Sequence, residues 1–543
     1  MPASPESVRV DSGGAAAAAA PVPDASAHRR VARNFLFNAG GYVLTVGVAF
    51  LIAPLQVHKL GNAAYGIWVV MQNLISYSIL MDFGMRYAVQ REAARIYALH
   101  QSEELNGMLS TAALLACIPA AVALLAGGGA ALFYPHWFTA PPGLMTPTRV
   151  ALAFTAVAVA LAFPGVVFNS VLAALSRYDI LGVRNAAVLV AQALLLWYFL
   201  THGYSLISVA AIYLGTVAAG QMLDAICAFR QIPQLRLRLR LVSRARARSF
   251  FRFSSYAFVV SIAVRLIYET DNLVVGWSLG AAAVAFYAVA GGLVGYARDW
   301  MSTVTRLYNP IAARMDALGE GEGLRELFVS GTRVGMLLVL PACFGLWAAG
   351  RAFLSLWMGP AFALNSGPAL MWLTVTALIC PFSGTYMPIF YATNRHRISA
   401  WMALGEAVAN LALSLLLVRR WGIVGVAVGS VIPALINQLV LQPAYAMRLL
   451  GVGPLRFYGQ ALLRPLALAV VPTAGLAALA TSGHLQTWPT WLAGCVAATL
   501  VYGGLVWALG LEARERQLVA QSWSKLRSMG AMLARRTGTA EEK

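Results

Sequence analysis

Charged residues are scarce in this sequence, acidic ones above all. Asp and Glu number 21 in 543 residues, against 40 Lys and Arg, and all charged residues together make up 11%. Soluble domains carry about 25%. With 59% apolar residues and a mean hydropathy of +0.69, an ordinary soluble protein is excluded. Cysteine is scarce as well. Cys117, Cys227, Cys343, Cys380 and Cys495 each stand alone in an apolar run, with no metal-ligand spacing and no disulfide framework. They read as small packing residues. Soluble-enzyme signatures are missing: there is no Gly-rich phosphate loop with its lysine, no HExxH and no CxxC. The expected outer loops are short and almost free of ionisable groups, which leaves no place for a catalytic loop or for ATP hydrolysis. We therefore expect no enzyme, no catalytic residue, no metal and no cofactor. The short alternating segments of a membrane β-barrel are lacking too.

What is present is a series of apolar stretches of about 20 residues, enough to cross the hydrocarbon as helices. The first half gives six candidate spans, near 35–57, 66–85, 108–133, 150–173, 185–202 and 206–228. The second gives six more, near 254–279, 283–305, 333–350, 368–392, 398–418 and 423–446, and two follow at 461–481 and 490–510. The predicted fold class is an all-α polytopic membrane protein of about 14 transmembrane helices: two six-helix lobes plus two C-terminal helices.

The halves are copies. Shifted by 219 residues, Leu60-Gly61 falls on Leu279-Gly280, Ala93-Ala94-Arg95 on Ala312-Ala313-Arg314, Arg33 on Arg252, Glu103 on Glu322 and Gly203 on Gly422. Duplicated helical bundles are a common plan for transporters, in which two halves rock about a central site. The implied division is a disordered Ala/Pro-rich tail at 1–32, an N-terminal lobe at 33–229, an Arg-rich linker at 230–252, a C-terminal lobe at 253–448, two further helices at 449–511 and a basic amphipathic tail at 512–543.

Basic residues set the orientation. With the N-terminus in the cytoplasm, Arg91, Arg95, Arg177, Arg184, Arg314, Arg325, Arg395, Arg397, Arg448, Arg456 and the linker arginines all fall on the inner side. Arg419-Arg420 is the exception, and both termini are expected inside. The Arg-Leu alternation at 236–241 reads as a solvated linker near anionic head groups rather than a nucleic-acid site. In the tail, Val519, Trp523, Leu526, Met529 and Leu533 recur at helical steps among arginines and lysines, as in a helix lying on the membrane.

Charges inside apolar spans are costly and mark pairs or aqueous cavities. Arg265, Glu269 and Asp271 share the seventh span, Arg298 and Asp299 the eighth, and Glu406 precedes Asn410 by one turn in the eleventh. Asp82, Arg86 and Asp224 lie in the first half. At the repeat offset the second-half charges meet Val46, Phe50, Ile52, Ile79, Leu80 and Ala187, so the scaffold is duplicated and most of the buried charge is not. A simpler reading of Arg265 and Glu269, four apart, is an internal ion pair; Asp82 and Arg86 have the same spacing. Pro54, Pro164, Pro341, Pro381, Pro388 and Pro433, with Gly291, Gly292 and Gly295, interrupt spans and are candidates for kinks or cavity lining.

The run Leu60-Gly61-Asn62-Ala63-Ala64-Tyr65-Gly66 resembles the LGxxxYG element of polysaccharide repeat-unit flippases, and Asp82-Phe83-Gly84-Met85 resembles their D-L-G-L element. Arg177 and Asn185 are similar to the next stretch of that pattern. The resemblance spans about 33–450 and extends to the multidrug/oligosaccharidyl-lipid/polysaccharide exporter superfamily, with two six-helix lobes around a central cavity. It implies a flippase of the bacterial inner membrane that moves a polyprenyl-diphosphate-linked oligosaccharide by alternating access. Arg265 and Arg298 would then attract the diphosphate, and Glu269, Asp271, Glu406 and Asn410 would couple movement to H+ or Na+. Membrane lipids and polysaccharide-assembly proteins are the further expected partners. Relatives that flip peptidoglycan precursors carry arginine in the first span, whereas 34–57 here has no charge. Two other readings stay open: a cation-coupled drug exporter of the same superfamily, and a non-transporting scaffold for polysaccharide synthesis.

Overall fold

The structure, a computed structural model, describes residues 25–82, 85–137, 143–243, 247, 255–511 and 516–517. The N-terminal tail up to 24, Phe83-Gly84, linker arginines 244, 246, 248 and 252, and the patterned tail with Val519, Trp523, Leu526, Met529 and Leu533 lie outside the described residues.

The chain is a succession of helices, with no strand among the described residues. In the first half these are α1 (Ala25–Ser78), α2 (Met85–Ala98), α3 (Ser102–Trp137), α4 (Met145–Ala174), α5 (Tyr178–Thr201) and α6 (Leu206–Gln231). The second half has α7 (Ser255–Leu279), α8 (Ala281–Thr305), α9 (Tyr308–Ala317), α10 (Gly321–Met358), α11 (Pro360–Ala392), α12 (His396–Ala434) and α13 (Gln442–Leu450). The chain continues through α14 (Pro454–Tyr458), α15 (Arg464–Thr481) and α16 (Trp488–Leu505). Among the described residues, 11 helical stretches are long and apolar enough to cross a membrane. Their outward faces carry exposed Leu51, Leu125, Leu364 and Leu500. In water that surface would be an aggregation liability; in lipid it is a solvated one.

Two of these stretches break at a glycine. The backbone leaves helical geometry at Gly61 (φ 78°) within α1 and at Gly422 (φ 57°) within α12. Positive φ is nearly free for glycine and strained for other residues. The breaks fall where the sequence predicts the gaps after the first and eleventh spans. Beyond Gly422 the two arms of α12 run back against each other. A Cβ on Gly425 would lie 2.3 Å from the Leu417 carbonyl oxygen, and one on Gly429 2.7 Å from the Ser414 nitrogen.

The backbone repeats as the residues do. Left-handed turns at Gly61, His100, Gly143, Ser176 and Gly203 recur at Gly280, Gly319, Gly359, Asn394 and Gly422. Three of these five pairs keep the 219-residue offset, and the other two slip by one and three residues. Helices α3, α10 and α11 begin earlier than predicted, because Glu103, Glu104 and Glu322 favour the positive ends of α3 and α10 and Pro360 opens α11.

Cohesion is local to each half, with one cluster shared. Met85, Leu109, Phe163 and Val171 centre a core in the first half, and Phe328, Phe382, Phe390 and Phe457 one in the second. Val57 and Val70 of α1 join Val275, Tyr287 and Leu370 across the divide. The last helix is docked onto α10 by the Tyr502 hydroxyl on the Leu337 carbonyl (3.0 Å) and the Trp491 indole on the Ala349 carbonyl (3.2 Å).

Candidate functional site: a polar cavity against the second half

A cavity of about 300 Å³ lies between α1 and helices α7, α8, α11 and α12. α1 contributes Tyr65, Val69 and Gln72, and the second half supplies everything else. Gly291 and Gly292 of α8 face it, and a Cβ at either would meet nothing within 4 Å, so the cavity owes part of its width to them.

Three predicted residues meet here: Asp271, Arg298 and Glu406. Asp271 is buried, and its Oδ2 accepts the hydroxyls of Tyr287 (2.6 Å) and Ser430 (2.7 Å). Its Oδ1 is buried without a partner among the described residues. Glu406 accepts Asn437 Nδ2 on one oxygen (2.5 Å) and Gln438 Nε2 on the other (2.7 Å). Those two amides sit on a π-helical stretch, Leu435–Leu441, that follows Pro433. Such wide turns re-aim neighbouring side chains and recur at functional sites. Asn410, one turn beyond Glu406, is 1% exposed, and both its side-chain polar atoms lack a partner among the described residues. Arg298 holds its guanidinium 4.2 Å from the Tyr268 ring centroid, a cation–π contact. It has no carboxylate within ion-pair distance among the described residues.

Arg265 and Glu269 lie apart from this group. They form the i, i+4 pair at 3.0 Å, and both reach α1. Ser76 donates to Glu269 Oε1 (2.9 Å) and accepts from Arg265, Asn73 donates to the Glu269 carbonyl (3.2 Å), and Tyr77 donates to the Arg265 carbonyl (3.3 Å). Tyr77 also meets the Thr270 hydroxyl. The result is a polar seam between α1 and α7, joining the halves.

In the first half, Asp224 is 1% exposed and paired with Arg184, with Asn169 donating to it at 3.2 Å. Asp82 and Arg86 do not form the side-chain pair their spacing allows: Asp82 Oδ2 accepts the Arg86 backbone N–H at 3.4 Å, as a carboxylate at a helix start does. Asp299 of α8 is exposed. Sequence reasoning left out Tyr287, Ser430, Asn437 and Gln438, neutral groups that resemble packing in an apolar run. It also left out Arg333, a charge 1% exposed inside α10.

A second, larger cavity of about 640 Å³ adjoins the first and is almost wholly apolar. Val43, Val46 and Phe50 of α1, Leu293 and Ala297 of α8, Phe344 and Phe353 of α10 and Trp491 of α16 line it. Helix α8 is the partition: Leu293, Tyr296, Ala297 and Trp300 face the apolar side, Gly291, Gly292, Val294 and Arg298 the polar side.

Membrane-length helices in two like halves, enclosing a polar chamber, make this a multi-pass membrane protein of the transporter class. Residues 31–314, more than half of the chain, match the polysaccharide biosynthesis protein family, and the chain belongs to that family. Membrane protein EpsK of Bacillus subtilis (strain 168) is 25% identical over 91% of this chain and 98% of its own length. A Shigella flexneri protein that carries the name O-antigen transporter is 20% identical over 76% of this chain and 97% of its own. Among solved structures, an inward-facing multidrug resistance MATE family transporter of the MOP superfamily shares the fold at TM-score 0.64 and 14% identity, covering 76% of this chain and 98% of the other. The lipid II flippase MurJ in an inward closed conformation does so at TM-score 0.61 and 13% identity, covering 85% and 98%.

Proposed function

We propose that this protein is a flippase for a polyprenyl-diphosphate-linked oligosaccharide in the bacterial inner membrane, working by alternating access with both termini in the cytoplasm. The observation that carries the reading is Arg298: a guanidinium on a cavity wall, stacked on Tyr268, with no carboxylate within ion-pair distance among the described residues. Guanidinium and phosphate oxygens form charge-assisted, often bidentate hydrogen bonds. On the other face of α8 the apolar cavity offers a polyprenyl tail a path that never leaves an oily surface. A lipid with an anionic head and a long apolar tail fits two such cavities side by side. The names of the Shigella protein and of the MurJ neighbour, an O-antigen transporter and a lipid II flippase, agree with that class of substrate.

At about 300 Å³ the polar chamber has room for about ten waters. A whole repeat unit needs more, so the halves have to separate during transport. In our reading the Arg265–Glu269 seam with Ser76, Asn73 and Tyr77 is what parts on one side, which gives Arg265 a positioning role and frees its charge for the diphosphate as the seam opens. Asp271, Glu406 and Asn410 supply buried oxygens for a proton or sodium ion, with Glu269 a third carboxylate exposed when the seam parts. No step needs a covalent change in the substrate, in keeping with a transporter rather than an enzyme. Assembly enzymes for the polymer would act before and after it as partners.

The test is lipid extraction from the native host with and without the gene. Polyprenyl-diphosphate oligosaccharides should accumulate facing the cytoplasm on deletion, and a surface polysaccharide should disappear. The Arg298→Ala protein should fail to reverse this. Unchanged lipid-linked sugars together with new sensitivity to cationic drugs would overturn the reading in favour of a drug exporter, in which Asp271 and Glu406 would take the cation. Full rescue by cavity variants with loss of function on tail truncation would favour a scaffold.

A further inference from the structure

α3 is apolar from Ala112 to Phe133, yet its first turns carry Ser102, Asn106, Ser110 and Thr111. The last three are at most 9% exposed. Polar groups buried that deeply need partners, and theirs come from the segment after α6. Ser102 donates to Gln234 Oε1 (2.6 Å) and Asn106 Nδ2 donates to the Gln234 carbonyl (3.0 Å). In return Asn106 accepts the Arg236 N–H (2.9 Å), Ser110 the Arg238 N–H (3.0 Å) and Thr111 the Ser243 N–H (3.1 Å). Side chains one and two helical turns apart thus hold Gln234–Ser243 as a strap along α3. Leu235 and Leu237 pack into the first-half core, while Arg236, Arg238 and Arg240 are exposed.

We infer that this strap is a binding strip for anionic phospholipid head groups, templated by α3. The strip ends at Thr111, where the apolar run of α3 begins, so the three guanidiniums stand at the level of the lipid phosphates. Arg236 and Arg238 lie on extended backbone, where alternate residues share a face about 7 Å apart, a spacing comparable to that between neighbouring lipid head groups; Arg240 follows in a single 3-10 turn, Leu239–Leu241. Glu103 and Glu104 share this end of α3, but neither is within ion-pair distance of the three arginines among the described residues. Nor does any other carboxylate neutralise them there. Each arginine near an anionic surface contributes about a fivefold gain in binding, by the constant of about 1 kcal/mol per charge. The strip is independent of the transported substrate.

The experiment is native mass spectrometry of the full-length protein in detergent, titrated with phosphatidylglycerol or phosphatidylcholine of the same chain length. The protein should retain phosphatidylglycerol at least tenfold better, and the preference should shrink with salt as screening sets in. Replacing Arg236, Arg238 and Arg240 with Gln should remove most of it, and replacement with Lys should restore most. Asn106→Ala with Ser110→Ala, all arginines intact, should weaken it severalfold; gel filtration would verify that each variant elutes as the parent does. An unchanged preference in the triple-Gln protein overturns the lipid strip, and one in the ladder variant overturns the templating. Capture of a polyglutamate peptide with no lipid preference would assign the strip to an acidic protein instead and overturn it too.

Discussion

Arg298 is held by a ring, with no counter-charge within ion-pair distance among the described residues. Tyr268 orients the guanidinium without neutralising it, leaving its donors for an anion. If it takes the diphosphate, Arg298→Ala should lower transport of a lipid-linked sugar in proteoliposomes at least tenfold. Arg298→Lys, a point charge without the planar fork, should recover only part. Asp271→Asn and Glu406→Gln should leave substrate binding nearly intact but make transport indifferent to an imposed proton or sodium gradient. Retention of that dependence in both would remove them from coupling. These three ionisable residues were legible in the sequence because charge inside an apolar run has few innocent explanations. For Arg265 and Glu269 the spacing admits two readings, and the ion pair is present. Asn437 and Gln438 could not be found that way: an amide in an apolar helix carries no sign of its target. What aims both at Glu406 is the π register after Pro433, a property of the backbone.

Among the elements, close approach rests on absent side chains. A Cβ on Gly66 would lie 1.7 Å from the Ala281 carbonyl oxygen, so α1 and the start of α8 meet backbone to backbone. Gly66→Leu should therefore drive α1 and α8 apart and lower the melting temperature of the purified protein; an unchanged melt would mean the contact is dispensable. Tyr65 and Gly66, which close the sequence motif, serve as cavity wall and close contact, and Gly61, its second residue, as the turn. Elsewhere the Asp224–Arg184 pair fastens α6 to α5. Asp224→Leu leaves a partly buried guanidinium unpaired, at a cost on the order of 3 kcal/mol, and a thermal melt should show it.

Over the whole molecule, the duplication that residues show only sparsely is written in the backbone at five pairs of left-handed turns. Identity fades where a lipid-facing surface accepts any apolar side chain. Turn geometry persists because it sets where each crossing ends. What the repeat could not convey is the seam between the halves, since contacts across it join positions that are not repeat equivalents: Tyr42 to the Tyr296 carbonyl (2.8 Å), and the Trp357 indole to the Phe50 carbonyl (2.9 Å). Linking Ser76→Cys to Glu269→Cys with a short bifunctional thiol reagent should halt transport, and cleaving the linker should restore it. Undiminished transport in the linked protein would show that the seam stays shut throughout the cycle.

The glycine contacts within α12 have a mechanical consequence. Glu406 stands on one arm of that helix and Ser430 on the other, and the arms close on each other at Gly425 and Gly429, which put no side chain of their own between them. Such a joint behaves as a stiff fork. An occupant between its prongs cannot draw them together, so a smaller ion would rattle and a larger one would be refused. If the proposed cation sits between Glu406 and Ser430, the fork is a fixed gauge, and preference among cations should follow radius before charge.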